Sequence, residues 1–391
     1  MAFMVLMGAG CGTLSITLDG QDTEEPEVDS TVLALQTEIS ILATLASTTS
    51  PQETVTPEAT QSAQTPEASA EWSMDPIAGL FYRTDQALWQ LDAEGNPQEL
   101  MSLEVGMDGF QISPEGDRVL YSYRDDIWVA DLTSGEQVNI TQTDDRRESK
   151  PYWWPARPET ILFNSAIGSE TKGKLAAANL DGSAYKIIGD RAMFAPPASS
   201  EDGELIAFTT YYFDGSRSLD EAWLYHWDGE LEQIEASAYN LGIDGFNSVS
   251  WVPGVKQLTW VATNNIGKAT LVVIDPEENE GKVLVPNILG GCWPTSMPPI
   301  WSPNGGYFVI EAYCGEPAVT SAVVMKGNGT AGKHLYDGRE YDTFPVWRPD
   351  GKMVAFQSGE TISVSSEGDW TRVEEITPPG TILVGWSMVD S

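Results

Sequence analysis

An internal repeat with a period of roughly 40–50 residues constrains the fold of this chain more than any other feature. The repeat begins near residue 77, and its first part is an apolar or aromatic residue, a tight turn that usually contains Pro-x-Gly, and an alternating strand. Proline fixes φ and glycine tolerates positive φ, so this pattern is typical of a β-hairpin turn. Complete copies of this first hairpin begin at Phe110, Tyr152, Ser199, Val249, Ile300 and Val346. A truncated copy lies at residues 384–387.

The second part of the repeat is a strand, a turn rich in Gly, Asp or Asn, and another strand. Its copies occupy residues 88–100, 127–141, 175–188, 223–234, 271–285, 322–336 and 362–376. A lone strand near Gly79 precedes the first copy and lacks a partner, and the truncated hairpin at 384–388 can supply one. The pattern therefore predicts an all-β fold, a seven-bladed β-propeller that the C-terminal strand closes, which leaves no free end to the array. Six blades are the alternative if the degenerate repeat at 199–234 is misread.

Two copies of the repeat read Trp301-Ser-Pro-Asn-Gly and Trp347-Arg-Pro-Asp-Gly-Lys-Met-Val-Ala-Phe. They resemble the TolB-type, WD40-like propeller repeat of bacterial envelope proteins, whose core reads W-S-P-D-G-x-x-I-A-F. The resemblance covers about residues 77–390 and implies an exported scaffold that docks proteins or ligands at its central funnel. TolB itself has six blades and a separate N-terminal α/β domain, and this chain departs from it in both respects. We interpret Trp251, Trp301, Trp347 and Trp386, which occupy equivalent repeat positions, as packing residues.

The N-terminal residues 1–11 are short and apolar, and they end in Gly8-Ala9-Gly10-Cys11, which resembles a bacterial lipobox. This resemblance implies a signal segment and lipidation of Cys11. Two features depart from that pattern: Gly8 replaces the usual leucine, and no basic residue precedes Arg83. The alternative is an ordinary apolar tail with a buried cysteine.

Residues 12–72 are rich in Thr, Pro, Glu, Ser and Ala. This composition buries too little apolar surface to offset chain entropy, so we expect a disordered acidic tether. The predicted domains are thus a signal segment at 1–11, the tether at 12–72 and the propeller at 73–391. The expected location is the cell envelope, outside the cytoplasm.

Two cysteines remain in the predicted propeller, Cys292 and Cys314. Residue 303 is the midpoint between them and lies in a predicted hairpin turn, so the two cysteines fall opposite each other. We predict a disulfide, which indicates an oxidising compartment. Reduced core thiols are the alternative. A metal site is not expected because no histidine lies nearby in the sequence, and His226 and His334 are interpreted as structural.

The formal net charge of −37 argues against nucleic acids and against docking on anionic lipid surfaces. The sequence contains no Gly-x-Ser-x-Gly elbow, Walker loop or His-Glu-x-x-His motif, and we expect no cofactor. Adjacent acids such as Asp125–Asp126 and Asp144–Asp145 are interpreted as solvated surface, since a chain this acidic produces such pairs by chance.

The candidate binding residues are arginines and aromatic side chains, which together favour protein, peptide or glycan recognition. The strand prediction places them at the loops between second and third strands and at the connections between blades. The arginines are Arg83, Arg124, Arg146, Arg147, Arg191, Arg217 and Arg339, and the aromatic residues are Tyr152, Trp153, Tyr211, Tyr212, Phe213 and Trp293. The alternative is that these arginines neutralise neighbouring carboxylates and that the aromatic residues belong to the core.

The sequence thus favours an exported, lipid-anchored and monomeric propeller that binds an envelope protein or a glycan without catalysis. The rival hypothesis is a glycan hydrolase or lyase with a carboxylate-based site in the central funnel. A third reading is a spacer with no specific ligand.

Overall fold

The computed structural model describes residues 77–168, 170, 172–213, 218–264, 269–285, 292–315, 319–335 and 345–387. At residues 212, 213, 218–220, 244, 264 and 319 it describes the backbone alone. The signal segment with Cys11, the tether and residue 388 lie outside these ranges. In the part described, no helix has the length and hydropathy needed to cross a membrane.

The described residues are almost entirely β-structure, with a single 3-10 helix at Ala236–Tyr239. The strands of the N-terminal half are β1 (Leu80–Arg83), β2 (Ala87–Leu91), β3 (Pro97–Ser102), β4 (Asp108–Ile112), β5 (Arg118–Tyr123), β6 (Asp126–Asp131), β7 (Gln137–Asn139), β8 (Arg146–Trp153), β9 (Thr160–Ile167), β10 (Lys174–Asn179), β11 (Lys186–Met193), β12 (Ala198–Ser199), β13 (Leu205–Phe213), β14 (Ser218–His226) and β15 (Leu231–Ile234). Those of the C-terminal half are β16 (Ile243–Trp251), β17 (Leu258–Asn264), β18 (Ala269–Asp275), β19 (Glu280–Val285), β20 (Trp293–Pro294), β21 (Ile300–Trp301), β22 (Tyr307–Cys314), β23 (Val319–Lys326), β24 (Lys333–His334), β25 (Val346–Trp347), β26 (Met353–Ser358), β27 (Thr361–Ser366), β28 (Asp369–Glu375) and β29 (Ile382–Trp386).

All strand pairs are antiparallel, and most strands pair with the strand next to them in the chain. The pairing between the most distant strands is that of the last strand, β29, with β1, in the order β29-β1-β2-β3. The register places Leu80 opposite Trp386 and Arg83 opposite Ile382. The predicted pairing of the C-terminal strand with the strand near residue 80 is therefore present, and it begins two residues earlier than the sequence suggested.

Strands β8–β15 form one eight-stranded sheet that narrows in the middle. There, β11 and β13 share two residue pairs, Ala192 with Tyr211 and Met193 with Thr210. Divided at this junction, the described strands form seven units: sheet 1 (β29, β1–β3), sheet 2 (β4–β7), sheet 3 (β8–β11), sheet 4 (β12–β15), sheet 5 (β16–β19), sheet 6 (β20–β24) and sheet 7 (β25–β28). In sheet 6, β20 and β21 both pair with β22 and share one strand position. The degenerate repeat at 199–234 corresponds to sheet 4.

The central strands are buried on both faces, which explains their runs of Val, Ile, Leu and Ala. Their buried side chains form seven apolar clusters; six of them join two sheets with consecutive numbers, and the seventh joins sheets 7 and 1. The cluster that joins sheets 7 and 1 contains Met353 and Ala355 beside Leu383 and Trp386. The cluster of sheets 1 and 2 contains Leu88 and Phe110.

The repeated tryptophans of the first strands donate hydrogen bonds to the preceding sheet. The indole nitrogen of Trp251 donates to the Ala198 carbonyl at 2.9 Å, and that of Trp347 donates to the Ile300 carbonyl at 2.9 Å. Trp301 donates to the Thr259 hydroxyl at 3.1 Å. The indole N–H of each of these three tryptophans thus has a partner while the ring packs against a cluster between sheets, in agreement with the packing role inferred from the repeat.

The strand β29 generates the first prediction. Its side chains Leu383 and Trp386 are 7% and 8% exposed, and the Trp386 indole donates to the Ala78 carbonyl at 2.9 Å. Loss of one large core side chain costs about 3–5 kcal/mol, against a total stability of about 5–15 kcal/mol for a domain. A chain that ends after Thr381 should therefore fail to unfold cooperatively in thermal melts followed by tryptophan fluorescence.

A chain that ends after Ser387 retains β29 and serves as the control. It should melt like the full-length protein. Equal melting of the two truncated chains would show that β29 contributes little to the fold.

Candidate functional site

The two ends of the strands present different sets of residues. At one end, tight turns join the first and second strands of sheets 2 to 7 at residues 113–117, 154–159, 200–204, 252–257, 302–306 and 348–352. This end is termed the turn face. The opposite end, termed the loop face, contains the loops between second and third strands and the connections between sheets. Loops held by a rigid scaffold are the usual place for binding residues.

The loop face carries five of the predicted arginines: Arg83, Arg124, Arg146, Arg147 and Arg191. Arg217 and Arg339 lie outside the described residues. These five arginines therefore lie at the end of the strands where the sequence places them.

Groups of this same chain contact each of the five. Arg191 forms an ion pair with Glu221, and Arg147 donates a hydrogen bond to the Glu170 carbonyl. The Arg124 guanidinium lies 4.8 Å from the centroid of the Tyr123 ring. In the same way, Arg83 lies over the Phe110 ring, and Arg146 lies 4.0 Å from Asp145. These contacts favour the alternative in which the arginines balance local carboxylates and pack on aromatic rings.

The aromatic candidates separate into two groups. Strand β8 begins with Arg146 and ends with Trp153, and at about 3.3 Å per residue its ends lie more than 20 Å apart. Tyr152 and Trp153 therefore lie at the turn face and not beside the five arginines of the loop face, where they were predicted. Burial raises the pKa of Tyr152 to about 12, and Trp153 donates a hydrogen bond to the Gln111 carbonyl at 2.9 Å.

Trp293 and Tyr211 do lie on the loop face. Trp293 is 42% exposed and pairs across the strands with the exposed Tyr313, at 6.5 Å between ring centroids. The Lys172 ammonium lies 3.8 Å from the Tyr211 ring centroid. The side chains of Tyr212 and Phe213 lie outside the described set.

The turn face contains a cavity of about 700 Å³. Turns of four consecutive sheets line it: Pro155 from sheet 3, residues 199–202 from sheet 4, residues 251–256 from sheet 5, and Pro303 from sheet 6. This volume lies within the range of about 300–1,000 Å³ of ligand pockets. Trp251, the prolines and the valines give a largely apolar wall, which acidic groups border.

The acidic groups at this cavity are held by their neighbours. The Ser200 hydroxyl donates to Asp202 at 2.6 Å and the Glu204 amide donates at 3.1 Å, and both hydrogen bonds lower the pKa of Asp202. The Gly254 amide donates to Glu201 at 3.3 Å. Lys256 points its ammonium to Glu277 at 3.0 Å, which raises the pKa of Lys256 and balances its charge. Glu201 and Asp202 therefore set the local charge, which is negative.

A second polar cluster lies between sheets 2 and 3 and centres on Glu148, which is 1% exposed. Its carboxylate accepts hydrogen bonds from the hydroxyls of Thr143 at 2.8 Å, Tyr185 at 3.0 Å and Ser165 at 3.4 Å. Burial raises the pKa of Glu148, and the charge of Asp126 adds to this effect. The candidate residue Arg146 joins this cluster through the Ser165 hydroxyl at 3.4 Å.

Sequence reasoning missed both Glu148 and the turn-face cavity. Strand β8 has a bulge between Ser149 and Tyr152, and Lys150 has a φ of 52°. Such a bulge breaks the alternation of inward and outward side chains from which an inward glutamate could have been recognised. The cavity has no local signal, because its residues come from four repeats.

The disulfide between Cys292 and Cys314 is present, with 4.3 Å between the Cα atoms. The pairing of Trp293 with Tyr313 places the two cysteines at one end of the β20–β22 ladder, as the hairpin argument predicted. One part of that argument needs correction. His334 is distant in sequence, yet its imidazole lies beside the two sulfur atoms, and all three potential ligand atoms are within 4.8 Å of one another.

Glu148 generates the second prediction. Its pKa is raised in the folded state, so folding favours the protonated carboxyl, and the stability that Glu148 contributes falls as pH rises through and above its ordinary pKa of 4.5. Glu148→Gln keeps the shape and cannot ionise. The stability of Glu148→Gln relative to wild type should therefore rise between pH 4 and pH 7, as measured by urea unfolding at each pH.

Glu201→Gln, which changes an exposed glutamate of the turn face, serves as the control and should show no such trend. A difference between wild type and Glu148→Gln that does not vary with pH would contradict the raised pKa.

Comparison of the sequence with protein-family profiles and with curated proteins finds no match. Solved structures with a similar fold include an oligogalacturonate lyase in complex with manganese, at 16% identity over 69% of this chain and 78% of that chain, with a TM-score of 0.54. They also include puromycin hydrolase, at 14% identity over 77% of this chain, with a TM-score of 0.57; this chain spans 51% of its length. TolB from Acinetobacter baumannii matches at 15% identity over 79% of this chain and 82% of that chain, with a TM-score of 0.49. The similarities to the lyase and the hydrolase concern the fold, which is of the β-propeller type.

Proposed function

We propose that sheets 1–7 are the blades of a closed seven-bladed propeller. The observation that supports closure is the number of apolar clusters. An open row of seven sheets has six interfaces between neighbours, whereas a ring has seven. The seventh interface is the one between sheets 7 and 1, where Met353 and Ala355 pack with Leu383 and Trp386. Strand β29 also contacts sheet 2, because Val384 packs against its cluster.

The contact between Gly116 of sheet 2 and Ser387, which follows β29, tests one requirement of this closure, that the C-terminal strand packs against the N-terminal sheets. A methyl group at Gly116 would clash with the Ser387 hydroxyl oxygen and would lie 2.7 Å from the Ser387 Cβ. We expect Gly116→Ala to destabilise the fold by several kcal/mol, from this clash and from the positive φ of 78°. Ser387→Gly should restore part of that loss in the double variant.

Gly135→Ala has a similar φ of 76° and no atom within 4 Å of the added Cβ, so it measures the backbone strain alone. Equal losses for Gly116→Ala and Gly135→Ala, with no rescue by Ser387→Gly in urea unfolding, would refute close packing between sheets 1 and 2 at this turn.

We further propose that the protein acts outside the cytoplasm, anchored by lipid at Cys11 and held away from the membrane by the 12–72 tether. The Cys292–Cys314 disulfide supports this location, because disulfides persist in oxidising compartments and are rare in the cytosol.

Within that setting, the proposed function is non-enzymatic binding of a partner protein at the turn-face cavity. The observation that supports this proposal is the cavity, which has a volume of about 700 Å³ and is lined by turns of four sheets. Ser200 and Glu204 hold Asp202 with a lowered pKa, and such a carboxylate does not serve as a general acid near neutral pH. An apolar wall with ionised acids at its border suits a segment that carries apolar and basic side chains. The excess of acids over bases in the whole chain, 58 against 21, favours the same kind of partner.

A peptide library that varies basic and apolar positions, together with a glycan array, tests this function. Sequences that combine an apolar anchor with Lys or Arg should bind, with affinity that falls as salt rises. Val255 lines the cavity and is 52% exposed, so Val255→Lys should weaken peptide binding at least ~10-fold through like charge and loss of apolar contact.

Val105→Lys is the matched control, because Val105 is fully exposed and is not among the cavity residues. It should leave affinity within about twofold, as expected for a surface change remote from the binding contacts. Equal affinities of Val255→Lys and wild type would exclude this cavity as the peptide site, and binding to glycans in place of peptides would overturn the choice of partner.

Glu148 favours a second candidate function, an enzyme that acts on a glycan by carboxylate chemistry. A buried carboxyl with a raised pKa is the kind of group that serves as a general acid. A general acid has to reach its substrate. Glu148 is 1% exposed, and its carboxylate oxygens already accept hydrogen bonds from Thr143, Ser165 and Tyr185. Binding is therefore the preferred proposal. Shortened glycan products in the binding assay would favour the enzyme.

A further inference from the structure

Three side chains with metal-ligand chemistry meet at the loop-face end of sheet 6. Cys292 precedes β20, Cys314 ends β22, and His334 ends β24. The two sulfur atoms and an imidazole nitrogen lie within 4.8 Å of one another. The cysteines are 7% and 8% exposed and His334 is half-buried, so the group lies just beneath the surface.

The spacing of these groups suits a divalent metal ion of the zinc type. Zinc binds thiolate sulfur at about 2.3 Å and imidazole nitrogen at about 2.0–2.1 Å, usually as a tetrahedron. Tetrahedral ligands at those lengths are about 3.3–3.8 Å apart. Separations within 4.8 Å require small side-chain rotations, and the strand ladders β20–β22 and β22–β23–β24 hold the backbone in place.

In the oxidised protein the sulfur atoms are bonded to each other and are not thiolate ligands. We propose that Cys292, Cys314 and His334 form a zinc site that becomes available when the disulfide is reduced. A dithiol reductant supplies the two electrons and two protons: its sulfur attacks the Cys292–Cys314 bond, two thiols are released, and the reductant leaves as a cyclic disulfide. Zinc then displaces one proton from each thiol, both of which pass to solvent, while neutral His334 contributes its nitrogen lone pair.

The three protein ligands leave the fourth position of the tetrahedron to water. The metal and the disulfide would therefore be alternative crosslinks of the same strand ends, one in a reducing environment and one in an oxidising environment. Bound zinc would also protect the thiolates from reoxidation, because their lone pairs are engaged with the metal. This inference is independent of the proposed ligand-binding function.

The test uses the full chain with Cys11→Ser, so that Cys292 and Cys314 are the remaining thiols. The protein is reduced with dithiothreitol, desalted without oxygen, and titrated with Co²⁺ and then with Zn²⁺ against a chromophoric chelator. One equivalent of Co²⁺ should produce a thiolate-to-metal charge-transfer band and intense tetrahedral d–d bands, and Zn²⁺ should displace it. The oxidised protein should show neither band.

His334→Gln separates this site from two thiols acting alone. It should lower zinc affinity at least ~10-fold and weaken the tetrahedral d–d bands. His226→Gln is the matched control, because His226 is the other histidine of the chain and lies on β14. It should leave zinc affinity unchanged. Equal affinities for His334→Gln and wild type, or equal metal binding by oxidised and reduced protein, would overturn the site.

Stability supplies a second measurement that does not depend on the spectrum. Zinc in excess should raise the melting temperature of the reduced protein and leave that of the oxidised protein unchanged, because a ligand that binds the folded state stabilises it by mass action. If the reduced protein is folded without zinc, an unchanged melting temperature after zinc addition would contradict the proposal. If it is unfolded without zinc, a failure of zinc to restore a folded state would contradict it equally.

Discussion

The pairing of β29 with β1 is the contact on which the rest of the structure depends. It joins residues about 300 positions apart in sequence, as in the hydrogen bond from the Trp386 indole to the Ala78 carbonyl. Closing a flexible loop of that length costs about 5 kcal/mol beyond a constant, by the logarithmic dependence on loop length. That cost is offset by the two apolar clusters to which β29 contributes, those of sheets 7 and 1 and of sheets 1 and 2. Sheet 1 is complete only when both ends of the described chain are in place.

Much of this fold could be predicted from the sequence because the signals for each hairpin lie within a single repeat. The alternation of apolar residues, the Pro-x-Gly turns and the position of Trp301 and Trp347 are signals within one hairpin, and the hairpins are present. The disulfide was predictable for the same reason, since one hairpin places its two cysteines opposite each other. The division of β8–β15 into two units was less clear, because β11 continues into pairing with β13.

The candidate site could not be predicted in the same way, because proximity between repeats has no local signal. The cavity combines turns from sheets 3 to 6, and His334 reaches Cys314 across β23. Arginine composition suggested the loop face, but an ion pair of the kind between Arg191 and Glu221 is invisible until the fold is known. Similar folds are found in a lyase and a hydrolase, so function has to be argued from the individual site.

The outermost strands of the sheets affect how readily molecules of this protein associate with one another. Strands β3, β7, β19 and β28 lie at the ends of their sheets and carry mostly exposed side chains. An unpaired strand edge is a template for addition of a strand from another molecule, and charge is the usual protection. Glu99, Glu280, Asp369 and Glu375 lie on these edges, and β3 begins with Pro97. Two copies that approached edge to edge would bring these carboxylates together, so the acidity of the edge strands opposes the addition of a strand from another molecule.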